Sequence, residues 1–273
     1  MEPGFAASEI DTSKPHPARM YDAYLDGKDN YPVDRQAVRQ ILRDFPEVRA
    51  IAKANRAYLQ RAVRFLATEA GIRQFLDIGT GIPTAGNVHD VAGQAAADTR
   101  VVYVDNDPIV HVHASALLTG TGTTSIVLAD LRDPQAILAH PQVRAQIDFT
   151  QPIALLLVAI LHFITDEENP AGIVATLRDA LAPGSYLALS HGTQDFHPPG
   201  GADLAASAYQ NATAPLVLRS HERVSAFFDG FDLVEPGLVQ APLWRPEGRR
   251  LRPKDLAKIG IYAGVGRTSP TRP

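Results

Sequence analysis

Five apolar runs after residue 71 constrain this chain more than any other feature, because helical patterns separate each run from the next. The runs lie in "RQFLDI", "RVVYVDND", "TTSIVLAD", "PIALLLVAIL" and "GSYLALSHG". In the segments between them, apolar residues recur at helical spacing. Strands that are apolar along their whole length are typical of a parallel sheet with helices on both faces. The pattern therefore predicts an α/β fold with a doubly wound, mostly parallel sheet.

The end of the chain adds two strands to this prediction. A helical pattern, "HERVSAFFDG", is followed by the predicted strands "FDLVEPGLVQ" and "KIGIYAGVGR". Two strands joined by a short connection run antiparallel, since parallel neighbours need a long crossover. These two strands and the five apolar runs together predict a seven-stranded sheet whose final strand is antiparallel.

Three helices are predicted before the first strand. They begin near Pro17, Pro32 and Pro46, and proline suits the first turn of a helix. The segment before them is polar, rich in small residues and flanked by proline, which predicts a flexible arm. We therefore divide the chain into a flexible arm (1–14), an N-terminal helical lid (15–70) and an α/β domain (71–273).

Composition excludes several classes of function. The chain has 273 residues, a formal net charge of -4 and no cysteine. Thiolate zinc sites and cysteine nucleophiles are therefore excluded, and no nucleic-acid partner is expected. His111 and His113 alternate on a predicted helix and face different directions, so no metal site is predicted. The longest apolar run is too short to cross a bilayer, and no signal-peptide pattern is present. We expect a cytoplasmic protein with no membrane partner, whose oligomeric state is unknown.

A glycine-rich loop follows the first predicted strand. The stretch "LDIGTGIPT" places Gly79, Thr80 and Gly81 between an acid-ended strand and a helix. Since parallel sheets bind ligands at the carboxyl ends of their strands, this loop is the first candidate binding site. Dinucleotide loops keep a third glycine and open backbone amides for the pyrophosphate. Here Thr84 takes the third position and Pro83 removes the amide before it, which favours a ligand without a diphosphate.

Three acids stand at or near the ends of the first three predicted strands, namely Asp77, Asp105 and Asp130. Asp105 follows Gly81 in the sequence at close to the roughly 20 residues expected of a carboxylate that binds both ribose hydroxyls. Asp77 opens the glycine loop and suits an ammonium group. S-adenosylmethionine carries ribose, adenine and an ammonium group but no phosphate, so it matches these positions. For Asp105 and Asp130, capping of the following helix is the alternative interpretation.

The motifs resemble those of the class I S-adenosylmethionine-dependent methyltransferases. "LDIGTG" is similar to their first motif, "VVYVDND" to the second, "LAD" to the third and "LLLVAILHFI" to the segment after the fourth strand. More closely, "ARMYDAYLDGKDNYPVDR", "NRAYLQRAV" and "FFDGFDLVEPGLV" resemble an actinobacterial methyltransferase-like family formerly labelled as of unknown function. The resemblance covers nearly the whole chain and implies a Rossmann-like methyltransferase fold with S-adenosylmethionine as cofactor. Pro83 departs from the common form of the first motif.

The resemblance also implies roles for individual residues. Asp77, Gly79 and Gly81 would hold the amino acid end of the cofactor, with Thr80 in the same loop. Asp105 would bind the ribose. The adenine would meet Asn106, Asp130 and the amide of Leu131.

The N-terminal helices are predicted to fold over the cofactor as a lid. Tyr21 and Tyr24 lie on the first helix, and Asn30 ends the polar turn "GKDN". We expect these three side chains to line the cavity and to help exclude water from the reacting sulfonium carbon. Asn55 interrupts the apolar stripe of the third helix, either as a structural bridge or as a contact to the cofactor.

Methyl transfer is an in-line displacement, and it needs a base only when the acceptor must lose a proton. His162 and His191 follow the fourth and fifth predicted strands and are the candidate catalytic bases, with a structural role as the alternative for each. The sequence therefore predicts methyl transfer from S-adenosylmethionine to a small-molecule acceptor. A non-catalytic protein that binds S-adenosylmethionine and a nicotinamide-dependent oxidoreductase are the alternatives, and Pro83 and Thr84 disfavour the second.

Overall fold

The computed structural model describes residues 11–83, 86–117, 122–197, 209, 212–248 and 251–269. The strands are β1 (Gln74–Ile78), β2 (Arg100–Asp105), β3 (Thr124–Leu128), β4 (Ala154–Val158), β5 (Tyr186–Gly192), β6 (Phe231–Leu233), β7 (Val239–Gln240) and β8 (Ile261–Thr268). The helices are α1 (Pro17–Tyr24), α2 (Pro32–Asp44), α3 (Val48–Thr68), α4 (Val88–Gly93), α5 (Pro108–Leu117), α6 (Pro134–Ala139), α7 (Pro141–Gln146), α8 (Pro170–Asp179), α9 (His221–Ser225) and α10 (Pro253–Leu256). None of the helices in these ranges is long and apolar enough to cross a bilayer.

The strands form one sheet in the order β3-β2-β1-β4-β5-β8-β6, and β7 also pairs with β8. Strands β1 to β5 are parallel, whereas β8 runs antiparallel to β5, β6 and β7. The predicted α/β class, the mostly parallel sheet and the antiparallel final strand are confirmed. The described residues form eight strands rather than the predicted seven, because the segment 231–240 divides into β6 and β7. Pro236 has no amide for the ladder, and Gly237 turns the chain with a φ of 86°.

Helices cover both faces of the sheet. The side chains of β4 alternate between two hydrophobic clusters, with Leu156 in the cluster that contains α3 and Leu155 in the cluster that contains α8. Every residue of β1 and β4 is buried. This burial on both faces explains why the strands are apolar along their whole length.

The three N-terminal helices pack in two different places. Helix α3 lies against the sheet, where the Tyr58 hydroxyl donates to the carbonyl oxygen of Gly264 at 2.6 Å. Helices α1 and α2 form a third hydrophobic cluster, together with Ala52 and Tyr209. The division into an arm, a lid and an α/β domain stays a prediction. Residues 1–10 of the predicted arm, and Thr84 in the glycine loop, lie outside the described residues.

Candidate functional site

A cavity lies at the carboxyl ends of β1 to β5, where the strand order reverses between β1 and β4. The loops after these strands form one side of the cavity, and α1, α2 and α3 form the other. Most of the predicted site residues line it, namely Tyr21, Tyr24, Asn55, Asp77, Gly79, Thr80, Gly81, Asp105, Asn106, Asp130, Leu131 and His162. Asn30 and His191 do not.

The glycine loop is fixed to the end of β2. Gly79 has a φ of 75°, and a Cβ atom there would lie 2.4 Å from Cγ1 of Ile160. Gly81 has a φ of 68°, and its amide donates to Oδ2 of Asp105 at 2.8 Å. Both glycines are therefore required by their left-handed backbone, and Gly79 also by the close approach of Ile160.

Asp105 ends β2 and is buried at the cavity wall. Besides the bond from Gly81, its Oδ1 accepts from the amide of Asp107 at 2.9 Å. Burial raises the pKa of Asp105 to about 6. The helix cap comes instead from Asp107, whose Oδ1 accepts from the amide of Ile109 at 2.9 Å. Since a carboxylate oxygen can accept two hydrogen bonds, Asp105 retains acceptor capacity for two hydroxyls.

Asp130 is bound to both of its polar neighbours. Asn106 donates to its Oδ2 at 2.9 Å, and the amide and guanidinium of Arg132 donate to it at 2.9 Å each. Burial opposes ionisation, but these hydrogen bonds outweigh it and lower the pKa of Asp130. The cap of α6 is supplied by Asp133, which accepts from the amide of Ala136 at 3.0 Å. Asp130 is therefore a charged carboxylate beside the buried Leu131, and it does not cap that helix.

Asp77 is a buried carboxylate near the carboxyl end of β1, the strand that lies between β2 and β4. Its hydrogen-bond partner within the described residues is the Thr80 hydroxyl, at 3.1 Å. Burial raises the pKa of Asp77 to about 7, although the bond from Thr80 opposes this shift. A cationic group of a ligand would stabilise the ionised form.

If Asp77 holds the ammonium group of S-adenosylmethionine, as the sequence resemblance implies, we expect the affinity for this cofactor to fall roughly tenfold between about pH 8 and about pH 6, because a proton on Asp77 would compete with that group. The pKa of Asp77 in the ligand-free fold lies above its ordinary value, so the free protein takes up this proton as the pH falls through about 7. Calorimetry at several pH values measures the effect. The control is Asp77→Asn, which should bind weakly with little pH dependence, and a flat wild-type profile would contradict the prediction.

A chain of hydrogen bonds links α1 to the loop after β4. The Tyr21 hydroxyl donates to the carbonyl oxygen of Ala52 and accepts from Nδ2 of Asn55, both at 3.0 Å. Oδ1 of Asn55 accepts from the Ser190 hydroxyl at 2.6 Å, and that hydroxyl accepts from the amide of Ala159 at 2.9 Å. Ala159 has a φ of 58°, a strained conformation that clusters at functional sites. Asn55 is thus a bridge between three elements, and it also lines the cavity.

We expect Asn55→Leu to destabilise the fold by about 1 to 3 kcal/mol, because it leaves the buried Ser190 hydroxyl without an acceptor. Ser190→Ala is the matched partner variant. The double variant should lose less stability than the sum of the losses in the two single variants, because it has no buried hydroxyl at position 190 left without an acceptor. Thermal and denaturant unfolding measure these effects, and strictly additive changes would show that the bond contributes nothing.

Asn30 was predicted to line the cavity, and this prediction is wrong. Its Nδ2 donates to the Asp22 carboxylate at 2.7 Å and to the carbonyl oxygen of Gly27 at 3.0 Å, while its Oδ1 accepts from Arg35 at 3.0 Å. The turn closes tightly on Asp22, whose Oδ1 would lie 1.9 Å from a Cβ atom at Gly27. Asn30 therefore fastens the connection between α1 and α2 and does not line the cavity.

His191 is fully buried outside the cavity. Its Nδ1 donates to the carbonyl oxygen of Gly192 at 2.7 Å, and its Nε2 accepts from Arg219 at 3.0 Å. Burial lowers the pKa of His191 well below its ordinary value. Because both ring nitrogens are occupied, the geometry does not support the predicted role of His191 as a base.

His162 lines the cavity, but its ring is held as a donor. Nδ1 accepts from the amide of Gly192 at 3.2 Å, so the proton of the neutral ring lies on Nε2. Burial, assisted by the positive charge of Arg219, lowers the pKa of His162 to about 3. A general base needs a free lone pair, so this arrangement does not support the predicted role of His162 either.

Sequence reasoning missed a buried charge cluster that joins α1 to the loop after β2. Nε of Arg19 lies 3.4 Å from Oδ2 of Asp107 and 3.7 Å from Oδ1 of Asp34. His16, which lines the cavity, has its Nδ1 3.1 Å from Oδ2 of Asp107. Arg19, Asp34 and Asp107 are all buried. The sequence signal for this cluster was the pair of acids Asp105 and Asp107. One of them, Asp107, caps α5.

The chain matches the model of a protein family described as S-adenosyl methyltransferase over residues 3–269. The chain belongs to this family. It is 45% identical to a DUF574 family protein of known structure from Streptomyces avermitilis MA-4680, with a TM-score of 0.91, over 95% of this chain and 99% of that one. A structure from Thermobifida fusca YX, provisionally named a methyltransferase, is 43% identical with a TM-score of 0.90, over 96% of this chain and 97% of that one.

A more distant structure shares the fold alone. It is an O-methyltransferase family protein from Burkholderia thailandensis, 15% identical with a TM-score of 0.52, over 78% of this chain and 56% of that one. None of the curated proteins matches this chain. Family membership confirms the predicted resemblance, the Rossmann-like fold, S-adenosylmethionine as the cofactor and methyl transfer as the reaction. Methyl transfer is therefore favoured over both alternatives, the non-catalytic protein and the oxidoreductase.

Proposed function

We propose that this S-adenosyl methyltransferase acts on a small molecule held beneath α1 and α2. The observation that carries the proposal is the extent of the cavity, which continues from the acids at the strand ends into the hydrophobic cluster of α1 and α2. Side chains of that cluster line the cavity, among them Tyr24, Ile41, Phe45, Phe163, Tyr209 and Leu216. Concave sites lined mostly by apolar and aromatic side chains suit small molecules, which supports an acceptor of this size.

The residues at the sheet edge fit the cofactor. We assign the ammonium group to Asp77, a buried carboxylate whose pKa is raised by burial and which gains from a cationic partner. We assign the ribose to Asp105, because its two oxygens retain acceptor capacity. The adenine is assigned to Asn106, Asp130 and Leu131. The cofactor supplies a methyl group on a sulfonium, and the residues of the chain bind it, orient it and exclude water.

A macromolecular acceptor is the second candidate, since the family alone does not fix the size of the acceptor. Nucleic acid is disfavoured by the net charge of -4, because binding to a phosphate backbone depends on a basic surface. The cytoplasmic location expected from the sequence stays a prediction.

The test is to follow a labelled methyl group. Purified full-length chain is incubated with methyl-labelled S-adenosylmethionine and an actinobacterial extract, and the extract is then separated by dialysis. We expect the label in the dialysable fraction, and only when the chain is present. Label retained with protein or nucleic acid would overturn the small-molecule assignment. Binding of the cofactor without release of S-adenosylhomocysteine would support the non-catalytic alternative.

A further inference from the structure

The part of the cavity next to α1 and α2, here named the acceptor chamber, is apolar and aromatic. Its side chains are Ile41, Phe45, His162, Phe163, Tyr209 and Leu216. The ring centroid of Phe163 lies 4.5 Å from that of His162 and 5.5 Å from that of Tyr209. Among the described lining residues, the carboxylates and guanidiniums belong to α3, to the carboxyl ends of β1 and β2 and to the loop after β3. The acceptor chamber itself therefore offers no counter-ion from the described part of the chain.

The tyrosine hydroxyls of this region already have partners. Tyr24 and Tyr209 share a hydrogen bond of 3.1 Å, and Tyr21 bonds to Ala52 and Asn55. Burial raises the pKa of Tyr209 to about 12 and that of Tyr24 well above its ordinary value. These groups are neutral near neutral pH and are engaged with one another, so they offer no charge to an acceptor molecule.

His162 differs from these tyrosines, because one of its ring nitrogens faces the cavity as a donor with no partner among the described residues. Its side chain is largely buried, with 8% of the residue exposed, and it lines the cavity. Nδ1 accepts from Gly192, which places the proton on Nε2. Nε2 makes no hydrogen bond to any residue that the structure describes. His162 thus presents to the acceptor chamber an N–H group that a bound molecule can satisfy.

A buried arginine holds the turn that carries this donor. Arg219 is 2% exposed, and it donates to the carbonyl oxygens of Leu161 at 3.0 Å and Ile164 at 2.8 Å, on either side of His162. It also donates to Nε2 of His191 at 3.0 Å, and so supplies a hydrogen-bond partner for that buried ring. The ring of His162 is therefore fixed by Gly192 at one nitrogen and by Arg219 through the backbone, which is the preorganisation that a recognition group needs.

We propose that His162 is the specificity-determining donor of the acceptor chamber, and that the methyl acceptor is an uncharged, largely apolar molecule with a carbonyl, ether or ring nitrogen for Nε2–H. A carboxylate, phosphate or ammonium group would meet no counter-ion among the described side chains of the acceptor chamber, and burial of an unpaired charge has a large cost in free energy. A pure hydrocarbon would leave the N–H group unpaired, and sites built around a hydrogen bond reject such analogues. This inference rests on the proposed small-molecule methyl transfer.

The test uses three probes of one size, 2-acetylnaphthalene, 2-ethylnaphthalene and 2-naphthoate, with full-length chain saturated with S-adenosylhomocysteine. Dissociation constants are measured by calorimetry or fluorescence. We expect the ketone to bind about tenfold more tightly than the hydrocarbon, because only the ketone satisfies Nε2–H. The carboxylate is expected to bind no better than the hydrocarbon.

Two variants of His162 separate recognition from structure. In His162→Gln, the amide oxygen can accept from Gly192 while the amide N–H donates to the probe, so the preference for the ketone should survive. In His162→Met the donor is lost, and the ketone and the hydrocarbon should bind equally. The affinity for S-adenosylhomocysteine, measured in parallel, shows whether each variant is folded. If His162→Met does not fold, the wild type and His162→Gln decide the question with the three probes.

Several results would overturn the inference. These are equal binding of the ketone and the hydrocarbon to the wild type, a preference that persists in a folded His162→Met variant, tightest binding of the carboxylate, or failure of all three probes while S-adenosylhomocysteine still binds. Failure of the wild type to bind S-adenosylhomocysteine would instead contradict the cofactor site, and label in a macromolecular fraction would contradict the small-molecule assignment. The two proposals can therefore fail separately.

Discussion

Asp105→Ala is expected to weaken the binding of S-adenosylmethionine by about 100-fold or more, because two charge-assisted hydrogen bonds to the ribose are lost. The variant also frees the amide of Gly81, which Asp105 holds at 2.8 Å, so the glycine loop loses its anchor. Calorimetric titration measures the affinity. Circular dichroism is expected to show an intact fold, since Asp107 and not Asp105 caps the following helix.

Asp133→Ala is the matched control for this experiment. Asp133 is also an acid after a strand of the same sheet, but it caps α6 and does not line the cavity. Its loss should leave the affinity for the cofactor unchanged. An affinity that Asp105→Ala leaves intact in a folded protein would remove Asp105 from the cofactor site.

Arg19→Met is expected to release α1 from the rest of the protein. The substitution leaves the carboxylates of Asp34 and Asp107 buried without this cation, and such a loss typically costs about 3 to 5 kcal/mol. Native-state hydrogen exchange measures the result. We expect amides of residues 17–24 and 32–44 to lose protection, while amides of the parallel strands keep more of theirs.

Arg49→Met is the matched control for Arg19→Met. Arg49 pairs with Asp26, but both side chains are exposed, and an exposed pair typically contributes only about 0 to 1 kcal/mol. Exchange in α1 and α2 should therefore remain close to that of the wild type. Equal exchange in Arg19→Met and Arg49→Met would mean that the buried cluster does not fasten α1.

The sheet could be predicted because its physical causes are local. Strands buried on both faces must be apolar throughout, and the helices between them must show a stripe, so the chain order of the elements is visible in the sequence. The carboxyl ends of parallel strands share one edge, which is why Asp77, Asp105 and Asp130 could be grouped in advance. The break between β6 and β7 was missed, although Pro236 and Gly237 signal a turn there.

The positions of individual side chains could not be predicted in the same way. His191 follows a strand, as a catalytic residue would, yet its orientation depends on Arg219, which lies 28 residues further along the chain. Asn30 lies in a polar turn that follows the cavity-lining Tyr21 and Tyr24 in the sequence, but its side chain is held by a hydrogen bond to Asp22 and does not reach the cavity. Ala159 gave no signal, since a left-handed φ at alanine results from the packing around it and not from its own preference. Tertiary contacts decided each of these cases.

The turn after β2 serves two purposes with one piece of backbone. Asp105 and Asp107 are separated by a single residue, and the amide of the second donates to the carboxylate of the first. The acid that we propose for the ribose and the acid that lies beside Arg19 therefore share one turn. By thermodynamic reciprocity, if the bound cofactor stabilises the packing of α1 by some factor, the packing of α1 tightens the binding of the cofactor by the same factor. A selection for altered cofactor affinity should therefore yield changes at Arg19, although this residue does not line the cavity.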